Sequence, residues 1–146
     1  MRLAVQFSKI SDHMRLRADW LLAGRLDELV ADFVYPVPIE LLSTRLIVHN
    51  PDEGRAMLAL WHDALVRNGV VALKSDVVAV GVPRRGRFRI WVEYHEIVPG
   101  QQEDRFTSIL YYCSRTLSGI RIEMVCFPHL SLPELDPQFA AMALSA

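Results

Sequence analysis

The sequence predicts an α+β fold with helices in the N-terminal half and an antiparallel sheet after them. Three observations carry this. Apolar residues recur at helical spacing from Ser11 to Phe33 and again from Asn50 to Gly69. Val70 to His129 reads as four long strands joined by short turns, rich in β-branched and aromatic residues. The order helix, helix, strand, helix, then a strand meander points to one architecture.

Ser11 can cap a helix whose apolar positions are Met14, Leu16, Ala18, Leu21 and Leu22, with Trp20 among them. Gly24 breaks that pattern. Leu26, Leu29, Val30 and Phe33 resume it, with Asp27 and Glu28 in the first turn. Tyr35-Pro36-Val37-Pro38-Ile39 cannot be helical, because each proline forces its predecessor into an extended conformation, and the segment reads as a short edge strand. Thr44 to Val48 is a second short extended piece. At Asn50-Pro51-Asp52-Glu53 a capping side chain, a proline at the first helical position and two acids at the positive end of the dipole agree on a helix start. Its core face is Met57, Leu60, Trp61, Ala64 and Leu65, and Asn68-Gly69 ends it.

Pro83-Arg84-Arg85-Gly86 turns the chain into a strand from Arg87 to Val98 that alternates clearly. Phe88, Ile90, Val92 and Tyr94 share one face; Arg87, Arg89, Trp91, Glu93 and His95 share the other. After Pro99-Gly100, Arg105 to Thr116 is apolar on both faces, and Ile120 to Phe127 follows the turn at Leu117-Ser118-Gly119. A strand apolar on both sides is covered twice. The helices cover one face, and a second copy of the chain is the simplest cover for the other, so a homodimer is expected. Pro133 to Ala146 is a short tail, helical or docked, outside a core of about residues 8–130 in a single domain spanning 1–146.

At 146 residues, 51% apolar, 23% charged and a net charge of −1, the chain can bury one core and has no attraction for polyanions. Nucleic acid and membrane are excluded as partners. The start reaches polar residues too soon for a signal peptide, and a cytoplasmic location is expected. Cys113 and Cys126 lie in successive strands and read as buried thiols rather than a disulfide. No metal-ligand spacing is present, His13 and His129 have no partner legible in sequence, and neither metal nor cofactor is expected.

Helix-glycine-helix, a Pro-rich strand, a helix opening at Asn50-Pro51-Asp52-Glu53, and long antiparallel strands ending in Gly119-Ile120-Arg121-Ile122-Glu123 resemble the nuclear transport factor 2-like superfamily. SnoaL-like proteins and ketosteroid isomerase belong to it. The resemblance covers roughly residues 8–130 and rests on element order and lengths, without a catalytic signature. It implies a cone-shaped curved sheet wrapped around three helices, a pocket at the wide end and dimerisation through the convex face. Transferred onto this chain, it places Phe88, Ile90, Val92 and Tyr94 in the pocket wall, joined by Ser108, Leu110 and Tyr112. Trp20, Trp61 and Phe127 complete the expected lining. Trp91, His95, Ile109 and Tyr111 are expected at the partner subunit. For the last strand, superfamily parity turns Arg121, Glu123, Val125 and Phe127 inward, hydrophobicity turns Ile122, Met124 and Cys126 inward, and a bulge would reconcile the two.

The isomerase chemistry of that superfamily needs a carboxylate base and an oxyanion hole built from a tyrosine and a protonated acid. Here the base position falls near Glu40 or Leu41, the protonated acid at Tyr111 or Tyr112, and the helical tyrosine near Arg17. That activity is not predicted. Glu40 and Tyr112 remain the weak catalytic candidates, Glu40 with an outward, solvated position as the simpler reading. His95 and His49 read as structural or solvent-facing, His62 as flanking a core face, and Arg84, Arg85, Arg87 and Arg89 as a solvated hairpin tip. Two functions stay open. One is an apolar pocket for a small oxygenated organic molecule, with or without isomerase, cyclase or hydrolase chemistry. The other is a non-catalytic dimeric accessory or protein-interaction module whose cone is filled by its own side chains.

Overall fold

A computed structural model describes residues 2–117 and 119–145. The chain runs α1 (Arg2–Ala23), α2 (Leu26–Val30), β1 (Val37–Glu40), β2 (Arg45–Val48), α3 (Pro51–Arg67), β3 (Ala72–Val80), β4 (Arg87–Ile97), β5 (Arg105–Thr116), β6 (Gly119–His129) and α4 (Leu135–Ser145). One sheet of six strands, ordered β2-β1-β6-β5-β4-β3, holds them together, antiparallel except where β1 runs parallel to β6. The α+β class follows directly. The Pro-rich strand is not the sheet's edge: β2 takes that place, pairing with β1 from Val37–Val48 to Glu40–Arg45.

Local chemistry sets the boundaries. Gly24 adopts φ +75° and lets the chain turn from α1 into α2, where an added Cβ would meet the His62 ring at 3.3 Å. The Asn50 side chain accepts a hydrogen bond from the Glu53 amide at 2.9 Å, with Pro51 in the first turn. Helix α1 begins well before Ser11, so its capping role is not used. No helix among the described residues is long and apolar enough to cross a membrane.

Residues paired across an antiparallel ladder share a face, which sorts the sheet. On β4 and β5 the pairs Phe88–Cys113, Ile90–Tyr111, Val92–Ile109 and Tyr94–Thr107 face the helices, while Arg89–Tyr112, Trp91–Leu110 and Glu93–Ser108 face outward. This corrects the expected β5 faces. Ile109 and Tyr111 are core residues; Ser108, Leu110 and Tyr112 lie on the outer face beside Trp91. The physical reason is the β4–β5 register, in which every even residue of β4 meets an odd residue of β5.

On β6 both expected phases occur. Cys113 pairs with Ile122 and Tyr112 with Met124, which leaves Glu123 as a bulge residue. Ile122 before the bulge and Val125 and Phe127 after it are buried inward, whereas Met124 and Cys126 face outward. Cys113 and Cys126 therefore sit on opposite faces and are both free thiols. The tail is a docked helix: Leu132, Leu135 and Phe139 are fully buried and belong to the core.

Candidate functional site

The inner face of α1 carries Ile10, Met14, Arg17, Ala18 and Leu21, all buried. Their spacing is helical, so the geometry that seats Met14 and Leu21 also drives a guanidinium into the core. Arg17 is 3% exposed. Its Nη1 donates to Asp32 Oδ2 at 2.7 Å and to the Leu29 carbonyl at 3.2 Å. The guanidinium also lies over the Phe33 and Tyr111 rings, 5.7 and 5.5 Å from their centroids. Burial works against this charge, and the Asp32 carboxylate, by charge and by hydrogen bond, keeps the group cationic.

One helical turn towards the N-terminus, His13 shares the same carboxylate, its Nε2 lying 2.7 Å from Asp32 Oδ2. Burial would raise the pKa of Asp32, but the His13 hydrogen bond and the Arg17 charge hold it below the ordinary value of 3.8. Asp32 is thus an ionised acceptor, and His13 donates to it through Nε2. His13 and Asp32 border a cleft of about 480 Å³ at the open end of the cone, together with Lys9, Ile10, Arg115 and Ile120. An adjoining apolar cleft of about 500 Å³ shares Ile10 and Arg115 and adds Phe7, Val80 and Phe88.

Deeper in, the cone is full. Tyr94 and Tyr111 join hydroxyls at 3.1 Å, and Trp61 packs edge-on to Tyr94 and Phe127, with centroids 6.0 and 5.5 Å apart. Burial raises the Tyr94 phenol well above its ordinary range, so it stays protonated. The space left among Arg17, Leu58, Trp61, Tyr94 and Tyr111 is about 10 Å³, the size of one water. Arg17 Nε and Trp61 Nε1 border that void without a hydrogen-bond partner.

The residues expected to line a pocket divide three ways. Trp61, Ile90, Val92, Tyr94 and Phe127 form packed core, with Phe88 reaching the cone's edge. Trp20 is half-buried, edge-on to His13 at 6.1 Å. Leu110 and Tyr112 are on the outer sheet face, where Tyr112 joins Arg84, Arg87 and Arg89 around a cleft of about 670 Å³. Glu40 also faces outward, 3.7 Å from Arg45. It stands beside the Cys126 thiol, which burial and that carboxylate push up to about 11. His49 closes on Glu53, and His62 binds the Leu21 carbonyl at 2.9 Å. The His13–Asp32–Arg17 cluster was invisible in sequence because Asp32, in the turn after α2, lies 19 and 15 residues from its two partners on α1. The Ile10-Met14-Arg17-Leu21 stripe was the one available signal.

No family model and no curated protein matches the sequence. Solved structures do. A domain of unknown function with a cystatin-like fold from Nostoc punctiforme superposes with a TM-score of 0.64 at 23% identity, covering 90% of this chain and 82% of that one. A nuclear transport factor 2-like protein with a cystatin-like fold from Novosphingobium aromaticivorans gives 0.56 at 16%, covering 91% and 94%. The chain has the nuclear transport factor 2-like fold. A protein of unknown function from Mycobacterium tuberculosis is similar again, with a TM-score of 0.56 at 11% identity over 98% of this chain and 93% of that one.

Proposed function

We propose that this chain binds a small, partly apolar organic molecule bearing an acidic oxygen, in the cleft at the mouth of the cone. The observation that carries this is the half-exposed His13, hydrogen-bonded to a carboxylate that is itself fixed by the buried Arg17. Such a pair holds one tautomer and leaves Nδ1 available as proton acceptor or donor, the arrangement acid–base chemistry requires. Lys9 and Arg115 add positive charge for the oxygen, and Ile10 and Ile120 supply apolar wall. A volume of about 480 Å³ lies within the range of known small-molecule sites.

Thermal-shift screening against aromatic carboxylic acids and enolisable ketones tests it. At least one class raises the unfolding midpoint of the native chain, and His13→Ala removes that rise without lowering the unliganded midpoint much. A rise that His13→Ala leaves intact contradicts this site.

A second reading is favoured by the interior void of about 10 Å³. A cone filled by Trp61, Tyr94, Tyr111 and Phe127 suits a non-catalytic module that works through its outer sheet face. Silence across the whole screen supports that reading.

A further inference from the structure

The outer face of the sheet carries a group of side chains that the mouth of the cone does not use. Asp76 on the edge strand β3 stands directly opposite Glu93 on β4, and His95 lies two residues further along β4 on the same face. Two carboxylates set opposite each other repel, and positive charge placed between them relieves that repulsion. A ligand oxygen from each acid and a ring nitrogen of His95 lie within 4.8 Å of one another. The His95 Nε2 to Glu93 Oε1 distance is 3.3 Å. A tetrahedral zinc with bonds near 2.0–2.1 Å has ligand-to-ligand edges of about 3.3 Å.

The other face of the imidazole is also arranged. His95 Nδ1 lies 2.8 Å from Asp104 Oδ1, in the loop between β4 and β5. A carboxylate that accepts Nδ1–H fixes the tautomer with its lone pair on Nε2, the atom 3.3 Å from Glu93 Oε1. The Phe106 ring, 5.4 Å from the imidazole centroid, holds it from the side. Lys74, paired with His95 in the β3–β4 register, is the cation on the neighbouring strand and supplies no ligand atom.

We propose that Asp76, Glu93 and His95 form a three-ligand site for a borderline divalent cation, zinc in the first place, with Asp104 as the outer carboxylate that orients His95. One nitrogen and two carboxylate donors favour zinc over magnesium, which prefers six oxygens. The three protein ligands leave a fourth position for water. The ion ties the edge strand β3 to β4 and replaces the repulsion between Asp76 and Glu93 with attraction.

Isothermal titration of zinc into chelator-treated protein tests this. One equivalent binds, magnesium at the same concentration gives no matching isotherm, and His95→Ala and Asp76→Asn each abolish the stoichiometric step. Asp104→Asn weakens it by about 10–100-fold while keeping one equivalent. Circular dichroism of each variant establishes that these surface changes leave the fold intact. Absence of a one-equivalent isotherm, or one that survives both His95→Ala and Asp76→Asn, overturns the proposal, as does equal binding of magnesium.

Discussion

Arg17 shows how much one residue can organise here. A cation at 3% exposure is tolerated because Asp32, the Leu29 carbonyl and two aromatic rings surround it. Removing one member of a buried pair strands the other, at about 3–5 kcal/mol. Arg17→Leu should therefore lower stability by about 3 kcal/mol in urea denaturation, far more than His13→Ala. Asp32 adds a pH dependence whose sign is fixed. Its folded value lies below its unfolded one, so its contribution is complete above about 3.8 and disappears as pH falls through the lower folded value. In sequence, Arg17 stood among polar neighbours as one more helix-surface charge. Its burial depended on the helix phase, and the phase was set by Ile10 and Met14, of which Ile10 was not part of the expected face.

At the level of elements, the second half of the chain was legible and its registers were not. The alternation of β4 identified Phe88, Ile90, Val92 and Tyr94 as inward-facing. β5 is apolar on both faces, so nothing in its composition could choose between Leu110 and Ile109, and the turn register decided. The β6 bulge at Glu123 likewise depends on pairing across strands.

A further element contact involves Glu96, the last inward residue of β4, whose side chain is 1% exposed and bonded to Ser131 after β6. Burial raises its pKa above the ordinary carboxylate value, opposed by the Ser131 bond and Arg105. The folded state thus holds that proton more tightly than the unfolded state. Glu96 makes folding less favourable as pH rises through the raised value, and the penalty vanishes below the ordinary carboxylate range. Glu96→Gln should raise the unfolding midpoint at pH 8 and leave it unchanged near pH 4. A midpoint lowered equally at both values would show that the Ser131 bond, not the buried charge, dominates.

For the whole molecule, the sheet divides the chain's surface. Its inner face is closed over by α1, α3 and α4, while the outer face presents Trp91 at 41% exposure beside Leu110, Tyr112, Met124 and Cys126. The homodimer expected from sequence would use this patch. If the chain sediments as a dimer, Trp91→Glu should leave only monomers in sedimentation velocity; a species unchanged by the substitution would contradict an interface at Trp91. The tail read as peripheral in sequence because a 14-residue apolar segment has no partner visible from its own pattern, yet Leu135 and Phe139 complete the core. The fold's order was readable, and the site was not, because its members meet only after α1 packs against α2 and β5.

Backbone chemical-shift mapping with the ligand class that emerges from screening tests the mouth of the cone most directly. The largest perturbations should cluster at Lys9, His13, Asp32, Thr116 and Ile120, and His13→Ala should abolish them. Perturbations centred instead on Trp61, Tyr94 and Phe127 would show that the core opens to admit the ligand, and would contradict a site at the mouth.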